Sequence, residues 1–315
     1  MSAPANSLVV PVYGNAGSID ALVETVSDLA GRVEGGLEAI FVVDGSPDDS
    51  RERLLAALRR TDLEARLVDH SRNFGSFAAI RTGMGLARGE RIAVMAADLQ
   101  EPPELVLEFL RRLAGGEVDV VAGERASRDD RGARASNLYW RLYRRFVMAD
   151  IPATGVDVFA CTAAVRDVVC SLEHTNTSLV AQLFWIGFRR EIVPYDRRPS
   201  PGRSGWTLRR KLRYLSDSVF AFTDLPVRIL WVVGLLGLLL GLLVGAVIVV
   251  ARAVGTIDVP GYAATVLTIV FFGSLNMIGL GIIGSYVWRA YESVKGRPGA
   301  IVREIVELPG RDEDG

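Results

Sequence analysis

Two long stretches without a charged side chain, Ile229–Ala251 and Val259–Trp288, constrain this chain more than any other feature. At 1.5 Å per residue the first covers ~35 Å, against a hydrocarbon core of ~30 Å. The second is long enough to cross with some tilt. A buried hairpin in a soluble core would also be apolar, but ILWVVGLLGLLLGLLVGAVIVVA carries no charge on any face. The segments are therefore read as two membrane spans, and any chemistry performed by the preceding residues is tethered to a membrane surface.

The charges around the spans set an orientation. Arg209, Arg210, Lys211, Arg213 and Arg228 precede the first span, and Arg289, Lys295 and Arg297 follow the second. The connection offers only Arg252 against Asp258. Basic flanks stay on the cytoplasmic side, so the large N-terminal domain and both termini are expected in the cytoplasm of a multi-pass protein of the inner (plasma) membrane. No cationic segment with an apolar core and a cleavage site opens the chain; MSAPANS leads directly into LVVPVY, and nothing suggests secretion. With 36 Lys and Arg against 37 Asp and Glu, the net charge of −1 gives no electrostatic reason to expect nucleic acid as a partner. Cys161 and Cys170 match no metal spacing and are read as reduced packing residues.

Residues 1–125 alternate short apolar runs with helical segments. LVVPVY, AIFVVD, ARLVDH, RIAVMAA and VDVVAG read as strands; helices are expected near Ser18–Arg32, Asp49–Arg60, Ser76–Ala87 and Glu104–Ala114. Such alternation predicts a parallel sheet covered by helices on both faces, with ligands at the carboxyl ends of the strands. From Trp206 to Phe222, Leu208, Leu212, Leu215, Val219 and Phe222 recur at helical spacing opposite Arg209, Arg210, Lys211 and Arg213. That pattern predicts an amphipathic helix resting in the headgroup layer. The resulting division is a catalytic domain over 1–205, a juxtamembrane helix over 206–225, a two-helix membrane domain over 226–290 and a cytoplasmic tail over 291–315, whose RDEDG end is expected to be disordered.

Two strand ends carry candidate chemistry. Asp44 closes AIFVVD and opens the turn Gly45-Ser46-Pro47-Asp48-Asp49, where a carboxylate can accept hydrogen bonds from a base or ribose. Asp98 and Gln100 follow RIAVMAA directly, ahead of Glu101, Pro102 and Pro103. Hard divalent cations take oxygen ligands, and Mg²⁺ is commonly held by one or two carboxylates together with substrate phosphates. Asp98 could instead cap the helix beginning near Pro103. His70 and His174 show no partner pattern and are read as surface or core residues.

The ordered set VVPVY, VVDGSPDDS, NFGSFAAIRTGMGLARGE, ADLQEPPEL, GERASR, GVDVF, LFWIGFRREIVPY and GRSGWTLRRKLRYLSDSVFAFTDLPVRIL, followed by two spans and GLGIIGSYVWRAYESVKGRP, resembles the family 2 glycosyltransferases of the polyprenyl-phosphate class. The resemblance runs in order over nearly the whole chain. It implies a GT-A type fold, an α/β Rossmann-like sheet that binds a nucleotide sugar. It also implies inverting transfer of a sugar from a nucleoside-diphosphate sugar to a polyprenyl phosphate lipid, in cell-envelope glycan synthesis or modification. Carried over by position, Pro11, Tyr13, Asp44 and Ser46 contact the nucleotide, and Asp98 with Gln100 holds Mg²⁺ or Mn²⁺ at the diphosphate. Arg125 and Arg128 meet the acceptor phosphate, and Asp157 in GVDVF takes the place of the family's acid, making Asp98 and Asp157 the catalytic pair.

Departures from the family pattern qualify that picture. Where the family commonly reads Asp-Ala-Asp-Leu-Gln, this chain has Ala96-Ala97-Asp98-Leu99-Gln100, one carboxylate fewer. A site with fewer anions holds its cation more weakly and leans harder on the substrate diphosphate. Val43 stands for the first aspartate of the usual Asp-Asp-Gly-Ser, and Gly205 for a common lysine whose charge Arg203 is placed to replace at the acceptor phosphate. The alternative reading is a nucleotide-sugar-binding or assembly partner that lost turnover with the carboxylate at position 96. A processive synthase is disfavoured by the two spans and the missing Gln-x-x-Arg-Trp segment. Glycines in GLLGLLLGLLVG and GLGIIG permit close helix contact and, with it, a homo-oligomer.

Overall fold

The computed structural model describes residues 4–126, 141, 144–145, 151–152, 156, 158–172, 179–197, 225–254, 261–308 and 310. The chain divides into two compact units, Met1–Lys211 with Pro298–Gly315, and Leu212–Arg297.

The first unit is built on β1 (Asn6–Val12), β2 (Leu37–Val43), β3 (Ala65–His70), β4 (Arg91–Val94), β5 (Val120–Arg125), β6 (Phe159–Thr162), β7 (Arg190–Tyr195) and β8 (Val302–Leu308). They form one sheet in the order β7-β5-β6-β4-β1-β2-β3-β8. β1 pairs parallel with β2 and β4, β2 with β3, and β5 with β7. β6 runs antiparallel to both β4 and β5, so β5 and β7 point the same way as β4. Six strands therefore deliver their carboxyl ends to one edge, and β6 begins there. The fully buried run in β2 fits a strand covered on both faces.

Helices α1 (Ile19–Arg32), α2 (Ser50–Leu58), α3 (Ser76–Leu86) and α4 (Glu104–Ala114) connect the first five strands, within a residue or two of the bounds expected from periodicity. α1 buries Ile19, Leu22, Val23, Val26 and Leu29, and α4 buries Leu105, Val106, Phe109, Leu110 and Leu113, each set at three- and four-residue steps. Burying such a side chain stabilises by about 1.5–3 kcal/mol, and these stripes fix the helices on the sheet. Gly83 lets α3 lie directly on β1 and β2, because a β-carbon there would run into Val9 and stand 3.2 Å from Val42 Cγ2. Cys161 is buried in β6, where desolvation pushes its thiol up to about 12, in keeping with a packing role.

At the amino end of the sheet, away from the carboxyl edge, a carboxylate is buried in β2. Glu38, 1% exposed, accepts from Ser7 Oγ (2.6 Å), the Arg88 amide (2.6 Å) and Arg88 Nε (2.9 Å), and pairs with Arg66. Burial pushes this carboxyl up, and the hydrogen bonds from Ser7, Arg88 and Arg66 with the Arg66 charge outweigh it, leaving it below the usual glutamate range.

Five elements of this unit exceed the sequence reading. β6, α5 (Ala163–Ser171), α6 (Leu179–Trp185) and β7 complete one side of the sheet. On the other side, within the stretch 291–315, Val302–Leu308 returns as β8 and pairs antiparallel with β3. Arg303 Nη1 approaches Asp69 Oδ2 at 3.3 Å, and Arg51 pairs with both Asp69 and Glu304, tying β8 to its neighbours. The amphipathic helix expected over 206–225 and the RDEDG end lie outside the described residues.

The second unit contains α7 (Leu225–Ala253) and α8 (Tyr262–Val294). Gly279 faces Leu230 and Gly237 faces Phe272. A seven-residue advance along α7 matches a seven-residue retreat along α8, so the helices form an antiparallel hairpin. Two of the glycines offered for close helix contact serve inside it. Large apolar side chains stand exposed along both helices, among them Leu236, Leu243, Val247, Ile269, Met277 and Ile283. Among the described residues, the one stretch long and apolar enough to cross a membrane by length and composition is Phe271–Tyr291, with mean hydropathy 1.3.

Candidate functional site

The polar residues that close the parallel strands meet at the carboxyl edge of the sheet. β4 gives way to a tight turn in which Leu99 adopts φ 54°, the one positive φ among described residues other than glycine. Left-handed backbone at such a residue costs of order 1 kcal/mol or more and collects at functional sites. The turn presents Asp98 with its side chain 39% exposed, its Oδ1 accepting from the Gln100 amide at 3.3 Å. Asp98 and Gln100, two residues apart on this turn, offer two side-chain oxygens, a set that suits a divalent cation whose other ligands come from substrate phosphates and water. Among the described residues no group of three His, Cys, Asp or Glu side chains is placed to hold a metal on its own. Ala96, two residues before Asp98, contributes no side-chain oxygen.

Asp44 closes β2 in a different environment from the open one suggested by its turn. The side chain is buried, and Oδ1 accepts from His70 Nδ1 (2.8 Å) and the Phe74 amide (2.8 Å), while Oδ2 accepts from the Gly75 amide (2.7 Å). Burial pushes its carboxyl up, and the bonds from His70, Phe74 and Gly75 prevail, holding it below the usual aspartate range. His70 Nε2 meets Thr82 Oγ1 at 3.0 Å, and its ring packs edge-on against Phe74. Asp44 thus organises the 71–75 loop and the start of α3. Gly45 follows at φ 57°, and a β-carbon there would strike the backbone of Arg72 and Asn73, so the two loops touch main chain to main chain. His70, read from sequence as a bystander, is the buried partner; it closes a strand at the same edge, the criterion that singled out Asp44.

Ser46 and Asp48 knit the loop after β2 to the loop after β1. Ser46 Oγ donates to Asp48 Oδ1 (2.6 Å) and accepts from the Gly14 amide (2.8 Å). Ser50 Oγ donates to the same Asp48 oxygen (2.6 Å), and the Ala16 amide donates to Oδ2 (3.1 Å). Desolvation raises the Asp48 carboxyl, but the bonds from Ser46, Ser50 and the two amides outweigh it and hold it at about 2. An unfolded aspartate titrates near 3.9, so the native state binds fewer protons between about pH 4 and 2. The stability from this lock is fully present above that window and is lost as pH falls through it. Asp48→Asn is expected to lose less melting temperature than wild type between about pH 4 and 2, measured by circular dichroism; parallel loss in both proteins would exclude Asp48 as the source.

Pro11 sits in β1, in register with Val42, and Tyr13 stands 51% exposed just past the strand end. Arg125 closes β5, half-buried and in register with Tyr195 of β7. The edge therefore gathers Tyr13, Asp44, Ser46, Asp98, Gln100 and Arg125. Arg128, Asp157 and Arg203 lie outside the described residues; Val158, the neighbour of Asp157, accepts from the Gly123 amide at 2.9 Å as the chain enters β6. Sequence reading missed Arg197, two residues beyond β7. Its Nε lies 3.3 Å from Glu101 Oε1 and its Nη2 4.0 Å from Asp98 Oδ2.

Comparison with known proteins places this arrangement. Among solved structures, the complex of glucosyl-3-phosphoglycerate synthase from Mycobacterium tuberculosis with Mn²⁺, UDP and glucosyl-3-phosphoglycerate matches with TM-score 0.50 at 19% identity, over 69% of this chain and 78% of that one. The likeness bears out the GT-A type α/β fold. An uncharacterized glycosyltransferase of Synechocystis is 28% identical over 302 residues, 95% of each chain. The SfII prophage-derived bactoprenol glucosyl transferase of Shigella flexneri is 26% identical over 305 residues, 95% of this chain and 97% of its own. The profile of glycosyl transferase family 2 matches residues 7–171, more than half of the chain. With that match on a GT-A type sheet, the protein is a glycosyltransferase, and the chain belongs to glycosyl transferase family 2.

Proposed function

We propose that this glycosyltransferase moves a sugar, with inversion, from a nucleoside-diphosphate sugar to a polyprenyl phosphate at the cytoplasmic face of the inner membrane, for cell-envelope glycan synthesis or modification. The observation that carries the reading is the meeting of Asp98, Gln100 and Arg125 at the carboxyl edge of six parallel strands, where nucleotides bind in sheets of this kind. Similarity over nearly full length to a protein named bactoprenol glucosyl transferase supports the lipid acceptor.

A parity argument supports the anchor. β8 comes after α8 yet pairs with β3, so the chain leaves one sheet before α7 and returns to it after α8. Only an even number of membrane crossings can separate two segments on the same side. If Phe271–Tyr291 crosses, α7 must cross as well, which agrees with the uncharged Ile229–Ala251 and with basic residues on both flanks. Exposed Leu, Ile, Val and Met side chains along the hairpin would then face lipid instead of water.

A phosphate monoester has a second pKa of about 6 and is already an anion at neutral pH. The acceptor needs no strong general base; it needs alignment with the anomeric carbon and relief from the donor's charge. Asp98 and Gln100 would hold Mg²⁺ or Mn²⁺, which when bound neutralises charge on the departing nucleoside diphosphate. Tyr13 and Ser46 border the nucleotide, and Asp44 shapes its loop. Arg125, with Arg128 and Arg203, suits the acceptor phosphate through bidentate guanidinium contacts. Asp157 orients a sugar hydroxyl, offsets positive charge developing at the anomeric carbon or assists a proton transfer.

Detergent-purified protein supplied with undecaprenyl phosphate, Mn²⁺ and a panel of UDP- and GDP-sugars is expected to form one lipid-linked monosaccharide, identified by mass spectrometry. Sugar transfer to a soluble acceptor with the lipid untouched would overturn the acceptor assignment.

A further inference from the structure

Arg197 stands at the same edge as Asp98, because β7 runs parallel to β5 and ends two residues earlier at Tyr195. Its guanidinium has two unequal neighbours. On one side lies Glu101, whose side chain is 1% exposed, with Nε at 3.3 Å from Oε1. A carboxylate so far from water needs a positive partner in place, and Arg197 supplies that charge. On the other side Asp98 Oδ2 is 4.0 Å from Nη2, beyond hydrogen-bond reach. That edge of the guanidinium is attracted to Asp98 without being bonded to it, and 29% of the side chain is exposed.

The charges are informative. Asp98 and Glu101 contribute two negative charges, Arg197 one positive, and Ala96 none, where the family's common pattern would add another carboxylate. A site that already contains a cation and has lost an anion repels a donor diphosphate less than a pair of bare carboxylates would. Arginine's planar fork is also matched to phosphate oxygens. We propose that Arg197 is a resident cation of the donor site: it balances Asp98 and Glu101 before the donor arrives and pairs with the nucleoside diphosphate once it is bound. Nucleotide binding in this chain is then only partly dependent on a divalent metal. The inference rests on the reading of the Asp98 turn as the diphosphate site, and it deepens that reading by adding a donor-binding residue.

The test is equilibrium binding of UDP and GDP to the full-length protein by calorimetry, with Mn²⁺ and with EDTA. For the nucleotide that binds, exchanging Mn²⁺ for EDTA is expected to weaken wild type by about tenfold or less. Arg197→Gln should lose at least a further tenfold of the metal-free affinity, with a smaller loss in Mn²⁺, and Arg197→Lys should recover part of it. Because Arg197→Gln removes a positive charge beside buried Glu101, the Glu101→Gln/Arg197→Gln double variant removes both charges together and should show the same metal-free loss. Wild-type metal-free affinity in the double variant, or no metal-free binding by wild type, would overturn the role of Arg197. If neither nucleotide binds even with Mn²⁺, the donor-site reading itself fails.

Discussion

Asp98→Asn is expected to lower turnover by about 10²–10³-fold, the loss typical of removing one preorganised electrostatic partner from a charged transition state. The substitution keeps the shape of the side chain and its capacity to accept from the Gln100 amide, so the strained turn at Leu99 has no reason to rearrange. What changes is the charge presented to the diphosphate. Asp98 is exposed and makes no other hydrogen bond among the described residues, so the melting temperature should stay close to wild type. Single-turnover rates and thermal melts on the same preparation separate the two effects. Wild-type turnover in the variant would remove Asp98 from the chemistry, and a large drop in melting temperature would mean that it acts through folding.

The opposite profile is expected for Glu38→Ala. Glu38 lies at the far end of the sheet from the strand termini that gather the site, so the chemistry should be untouched in whatever fraction stays folded. The buried carboxylate is the shared partner of Ser7, Arg66 and Arg88. Its removal leaves Arg66, only 12% exposed, without its counter-charge and empties a space between β1, β2 and β3. Breaking a buried pair from one side costs about 3–5 kcal/mol. At roughly 2–4 °C per kcal/mol for a domain of this size, the melting temperature should fall by on the order of 10 °C. A fall of only a degree or two would show that Arg66 and Arg88 find water or other partners at little cost.

These two residues also mark what local pattern can and cannot reveal. Strands β1–β5 and helices α1–α4 were legible because each carries its own periodicity, and the strand-end rule then led to Asp44 and Asp98. That rule located positions but not partners. Asp44 was read as a nucleotide contact; its carboxylate also accepts from His70, Phe74 and Gly75, at the end of another strand and in the loop after it, partners that the rule does not name. Arg197 escaped notice because its meaning depends on Glu101 and Asp98, far away in sequence and adjacent only once β7 has joined β5. β6 is four residues long and too short to declare a period. VREIVEL alternates only over its last three residues, it is exposed on most of its length, and its partner β3 lies on the other side of the hairpin in the chain. Long-range pairing is what the sequence conceals.

That late pairing bears on biogenesis. Translation delivers seven strands, then a long apolar hairpin, and only afterwards the eighth strand. Until it emerges, β3 is an open edge whose free amides and carbonyls can recruit a strand from any neighbouring copy. A version cut before the hairpin to obtain soluble enzyme is therefore left permanently in that unfinished state, prone to aggregate for a reason unrelated to the greasy segment that was removed.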